Sequence, residues 1–100
     1  MNPSIFHPEA ESEFRAAIAY YDEQRPGLGA EFKEAIEHAV GQIREMPRLF
    51  SPYGSDGLRK CTIRRFPYAV YYLEMDDVIW VVAVAHQSRR PDYWARRILN

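Results

Sequence analysis

Cysteine is nearly absent: Cys61 is the only one in 100 residues. A single thiol excludes an intrachain disulfide and a zinc site built on thiolates, and it fits a reducing compartment. Long apolar runs are missing too. The longest, Val78 to Ala85, has the length of a strand and falls far short of a membrane span. The opening residues, MNPSIFHPEAE, lack the basic start and apolar stretch of a signal peptide, so a soluble cytoplasmic protein is expected. Histidine is sparse, and His7 with Glu11 is too thin a pair to hold a metal. No metal, cofactor or membrane contact is expected. Net charge is also close to absent, at -1.

That small total conceals an asymmetry. Residues 1–50 carry nine acids against five bases, whereas residues 51–100 carry five acids against eight bases. The bases of the second half fall in two clusters. One holds Arg59, Lys60, Arg64 and Arg65, and the other Arg89, Arg90, Arg96 and Arg97. Brought together by the fold, they would form a patch attractive to phosphate or to an acidic partner. Left apart, they are charges that keep strand edges soluble.

An apolar fraction of 47% and an aromatic fraction of 14% suffice for one core, and the length suits one domain spanning 1–100. Ser4 to His7 reads as a short strand. Pro8 suits a first helical turn, and Glu9, Glu11 and Glu13 suit the positive end of a helix dipole. Ala10, Phe14, Ala17, Ile18 and Tyr21 make one helical stripe that stops at Arg25-Pro26-Gly27. A second stripe runs from Leu28 to Met46 and ends at Pro47. So short a linker makes the two helices an antiparallel hairpin.

Beyond the turn-rich SPYGSDG, three strands are expected at Leu58 to Arg64, Tyr68 to Met75 and Val78 to His86. Their tight connections make an antiparallel meander. The last two are apolar enough to be central and covered on both faces. Neighbours in a strand point to opposite faces, so only one of Tyr71 and Tyr72 can lie under the helices. The other leaves an aromatic surface that a partner's segment or a terminal helix at Pro91 to Ile98 would cover. The fold class is therefore α+β, with an N-terminal strand, a helical hairpin packed on a three-stranded meander, and a short C-terminal helix.

Individual residues each have a plain structural reading. Cys61 is a small core residue, His38 sits on the exposed side of its helix, and Arg96 and Arg97 answer the dipole at a helix C-terminus. His86 ends a buried strand, where it either satisfies a local backbone group or meets a target.

In FHPEAESEF, AIAYYDEQRPGLGAEF, LRKCTIRRFPYAVYY and VAVAHQSRRPDYW, taken in that order, the chain resembles the RelE/ParE toxins of bacterial toxin–antitoxin modules. The resemblance covers nearly the whole chain and implies a toxin silenced by a cognate antitoxin. It also implies one of two targets. RelE-like members are ribosome-dependent endoribonucleases that cut messenger RNA, and ParE-like members bind DNA gyrase without chemistry of their own. RelE-like members place arginines where this chain has Ala69 and Ser88, whereas the HQSRRPDYW tail looks more like ParE.

The expected function is accordingly a ParE-like gyrase inhibitor, with Arg59, Lys60, Arg65, His86, Arg89, Arg90, Tyr93 and Trp94 meeting the target. The alternatives are a relative without toxicity and a ribonuclease. The ribonuclease would use His86 for proton transfer and Arg59, Lys60, Arg65 and Arg89 to stabilise the phosphorane, with Tyr93 or Trp94 stacking on a base.

Overall fold

Proline at a first helical position gives up an N–H that would find no partner there, and a helix does begin on Pro8 in the computed structural model, which describes residues 2–54, 56–90 and 92–99. In chain order the elements are β1 (Ser4–Phe6), α1 (Pro8–Gln24), α2 (Leu28–Glu45) and β2 (Ser51–Pro52). β3 (Arg59–Thr62), β4 (Tyr68–Met75), β5 (Val78–His86) and α3 (Ala95–Leu99) follow. The strands form one five-stranded sheet in the order β1-β5-β4-β3-β2. β1 runs parallel to β5, and the other pairs are antiparallel.

The helical hairpin is stitched at its corner. Asp22 Oδ1 accepts from the backbone N–H groups of Gly27 and Gly29, at 3.0 and 3.3 Å. Gly29 is where the two helices touch: a Cβ there would lie 2.5 Å from the Ile18 carbonyl oxygen and 2.9 Å from Asp22 Cβ. Gly29→Ala is therefore expected to destabilise the protein by about 1–3 kcal/mol, the range for overpacking a tight contact. Chemical denaturation checks this, and an unchanged midpoint would mean that the helices separate without penalty.

Between the hairpin and the sheet, Phe32 is fully buried among the rings of Phe14, Tyr21, Phe66 and Tyr68, with centroids 4.9–6.1 Å away. Cys61 belongs to this core, as expected, and burial pushes its thiol up, away from the reactive thiolate. Tyr72 is the tyrosine that lies under the helices. Its hydroxyl donates to the Pro47 carbonyl at 2.6 Å.

Burial pushes the Tyr72 phenol up to about 12 from its usual value of 10.0. The folded state favours the neutral phenol, so the stability that Tyr72 contributes is complete below about pH 10 and is lost as pH rises through 12. Tyr72→Phe is expected to lose about 1 kcal/mol at neutral pH, the net worth of one hydrogen bond. It should also fall less steeply than the wild type in alkaline denaturation. Parallel alkaline limbs for the two proteins would contradict this.

Beyond single-residue differences such as β1 ending at Phe6, three boundaries differ from the sequence reading. Ser51 and Pro52, read as turn, form β2, because Gly54 and Gly57 take positive φ and turn the chain so that Ser51 faces Lys60. The strand expected from Leu58 to Arg64 is confined to Arg59–Thr62, ahead of the bend at Arg64 to Pro67. The terminal helix expected from Pro91 begins at Ala95. Pro91 itself lies outside the described residues, and Asp92 takes a φ of 66°, which a right-handed helix cannot include.

Candidate functional site at the end of strand β5

An alternating strand would send Ile79, Val81, Ala83 and Ala85 to one face. β5 departs from this pattern, because Tyr71 pairs with Ala83 while the next residue, Tyr72, pairs with Val81. Val82 is therefore the extra residue of a β-bulge. Ile79, Val81 and Val84 join the core under the helices, whereas Val82, Ala83 and Ala85 join a second cluster on the far face. The shift turns His86 to the helix side, where its ring meets that of Tyr68 with centroids 5.1 Å apart.

The far-face cluster is closed by the C-terminal segment. Trp94 is only 2% exposed, and its ring lies 4.1 Å from Tyr71 and 6.0 Å from Tyr53. The surface that the sequence reading left in need of cover is thus covered by this chain's own tryptophan. Over the same sheet face, at β1 and the outer ends of β4 and β5, Ile5, Met75 and Trp80 remain exposed.

Two clefts flank the strand end, and His86 and Arg89 line both. The far-face cleft, about 350 Å³, is walled by Tyr53, Tyr71 and Trp94 and carries Lys60, whose Nζ lies 5.8 Å from both tyrosine rings. Burial pushes both phenols up, so they remain neutral, polarisable walls. The helix-side cleft, about 450 Å³, lies between α1 and β5 and is lined by Glu13, Ala17, Tyr20 and Tyr68.

The expected site residues divide. Lys60, His86 and Arg89 come together at the far-face cleft, and Arg90 is exposed beside it in sequence. Arg59, one residue from Lys60, points to the opposite face, as strand alternation requires. It donates to the carbonyls of Phe50 and Arg48 at 2.7 and 3.4 Å, holding the connection after α2. Arg65 lies away from the cleft, paired with Glu31 of α2 and resting over the Phe66 ring. That pairing, with a second one to Arg25, holds the Glu31 carboxyl below its usual range. Trp94 is enclosed, with only its edge on the cleft open, and Tyr93 donates its hydroxyl to Glu13 Oε2 at 2.5 Å.

His86 makes a local contact within its turn. Its Nδ1 accepts from the backbone N–H of Ser88 at 3.0 Å and lies 2.7 Å from the Ser88 hydroxyl. The N–H donor assigns the Nδ1 lone pair to this turn and leaves Nε2 to carry the proton of the neutral ring. Ala69 is buried in the far-face cluster.

Glu13 and Arg97 escape the sequence reading, which gives both to helix dipoles. Arg97 instead forms a two-pronged pair with Glu13, with Nη1 to Oε1 and Nη2 to Oε2 both at 3.0 Å, and it also donates to the Val82 carbonyl at 3.0 Å. Glu13 Oε1 in turn accepts from the Val84 N–H at 3.1 Å. Together they serve the edge of β5 just past the residues paired with β1, where the strand's polar groups would otherwise be unmatched.

A helical hairpin on such a sheet recurs in solved structures of the RelE and ParDE systems. A chain of the intact E. coli RelBE toxin–antitoxin complex superposes with a TM-score of 0.69 at 22% identity, over 89% of this chain and 100% of that one. A double mutant of E. coli RelE in the free state reaches 0.73 at 21% identity, covering 97% of each chain. A chain of the chromosomal ParDE system from P. aeruginosa reaches 0.65 at 15% identity, covering 86% of this chain and 96% of that one. These likenesses establish the fold. Among curated proteins there is no match. Residues 5–91 match the family described as the ParE toxin of the type II toxin–antitoxin system, parDE, and the chain belongs to that family.

Proposed function

We propose that this toxin acts by binding, in the manner of ParE, with DNA gyrase as its target and Lys60, Arg89 and Arg90 as the cationic part of the contact surface. The division of the basic residues carries this reading. Cleavage of RNA requires a base for the 2′-hydroxyl, an acid for the leaving oxygen and several cations around one phosphate. Here Arg59 and Arg65 are engaged elsewhere, and His86 Nδ1 is engaged by Ser88. What remains at the cleft is a basic rim, with Arg89 and Arg90 exposed and Lys60 half-buried on an aromatic wall, which suits an acidic protein surface.

A cognate antitoxin is proposed as the silencing partner, because the relatives of known structure include toxin–antitoxin complexes. The exposed Ile5, Met75 and Trp80 and the groove of about 520 Å³ between α2 and β3 are the surfaces for it along the sheet and hairpin. Among the described residues no helix is long and apolar enough to cross a membrane.

One observation favours a second reading, a ribosome-dependent ribonuclease: Lys60, His86 and Arg89 do share one cleft with aromatic walls. Induced expression without antitoxin separates the two. With plasmid supercoiling and protein synthesis followed together, loss of supercoiling ahead of any loss of translation supports gyrase. Immediate arrest of translation with cut messages and normal supercoiling would sink that reading.

A further inference from the structure

Arg89 lies beyond the end of β5 and belongs to no helix or strand. A long side chain in such a place samples many rotamers, and fixing it on binding weakens affinity. The structure supplies a platform for it. The Arg89 guanidinium lies 4.2 Å from the centroid of the Tyr93 ring, with the Arg97 guanidinium 5.2 Å from the same ring.

Tyr93 is itself held. Its hydroxyl is bound to Glu13 Oε2, and burial followed by that hydrogen bond pushes the phenol well up, so it remains the donor. Glu13 is pinned in turn by the Val84 N–H and by both prongs of Arg97, and Arg97 is anchored on the Val82 carbonyl. An unbroken chain of side chains thus runs from the bulged edge of β5 through Glu13 and Tyr93 to Arg89.

We propose that Glu13 is a positioning residue for the basic strand end: it holds the Tyr93 ring as the platform on which Arg89 rests and so sets the direction in which Arg89 meets its target. The functional consequence rests on the contact role proposed for Arg89. The positioning itself does not, and the two are tested separately.

In the full-length wild-type chain, NMR should show the Arg89 side-chain protons displaced upfield by the Tyr93 ring relative to those of Arg90. Glu13→Gln and Tyr93→Phe are both expected to erase most of that displacement while the core methyl signals stay in place. Tyr93→Phe keeps the ring and removes only its tether, so a persisting displacement in that variant overturns the proposal. It decides alone if Glu13→Gln fails to fold.

Supercoiling inhibition should weaken on the order of tenfold in either variant, the scale of one charged hydrogen bond. Glu13→Gln combined with Arg89→Ala should be no weaker than Arg89→Ala alone, whereas fully multiplicative losses would contradict positioning. If the wild type inhibits nothing while the NMR result holds, the gyrase reading fails and the positioning role stands.

Discussion

Arg97→Ala is expected to lower the free energy of unfolding by about 3–5 kcal/mol, the range for removing one partner of a buried ion pair. The Arg97 side chain is 7% exposed and that of Glu13 is 16% exposed, so neither charge recovers much hydration when the other is removed. The alanine variant strands the Glu13 carboxylate on the Val84 N–H and the Tyr93 hydroxyl, and it also takes a donor from the Val82 carbonyl. A small domain holds only about 5–15 kcal/mol in total, so the variant should be marginally stable. Urea denaturation measures the loss. Replacing both partners together, Glu13→Leu with Arg97→Met, should recover only the share due to the uncompensated charge, because the Val84 N–H, the Tyr93 hydroxyl and the Val82 carbonyl still lose their partners. A loss below about 1 kcal/mol for Arg97→Ala would mean that the pair behaves as a solvated one.

The second large effect is functional. Lys60→Glu combined with Arg89→Glu is expected to weaken target inhibition on the order of 100-fold or more, because like charges set against an acidic partner cost several kcal/mol and slow the encounter. Stability should change by no more than about 1 kcal/mol, since Arg89 is exposed and the half-buried Lys60 holds only weak cation–π pairings with tyrosine rings. Arg65→Ala is the informative control. Arg65 carries the same charge but lies with Glu31 beside α2, so its removal should leave potency intact. Equal losses from Arg65→Ala and from the double reversal would argue for a diffuse field in place of a defined contact.

Much of this architecture can be read from local pattern. The helix limits follow from Pro8, the Arg25-Pro26-Gly27 break and Pro47, each of which acts through backbone chemistry at its own position. The hairpin between β4 and β5 follows from Asp76 and Asp77, which supply the two positive φ values that a two-residue turn demands. The alternation that separates Arg59 from Lys60 is also open to reading, although charge alone groups the two.

What cannot be read depends on pairings distant in sequence. The parallel pairing of β1 with β5 joins Ser4 to Ile79, and no local signal specifies such a partner. The bulge at Val82 falls within an unbroken apolar run, where a shift of face leaves no mark on the pattern. Glu13 and Arg97 lie 84 residues apart, and each has an adequate local explanation, which is why the dipole account conceals their pairing. Trp94 reads as a surface ring for a similar reason: a tryptophan among arginines gives no indication that Tyr53 and Tyr71 will enclose it.

The central claim, that this toxin binds gyrase and performs no chemistry, is tested most directly with purified protein. Increasing amounts would be added to gyrase with relaxed plasmid and, in parallel, to a reconstituted translation reaction containing labelled message. Supercoiling lost in proportion to toxin, with the message intact on ribosomes, is the result predicted. Message cut on ribosomes while gyrase supercoils normally would contradict the claim and return Lys60, His86 and Arg89 to a catalytic role.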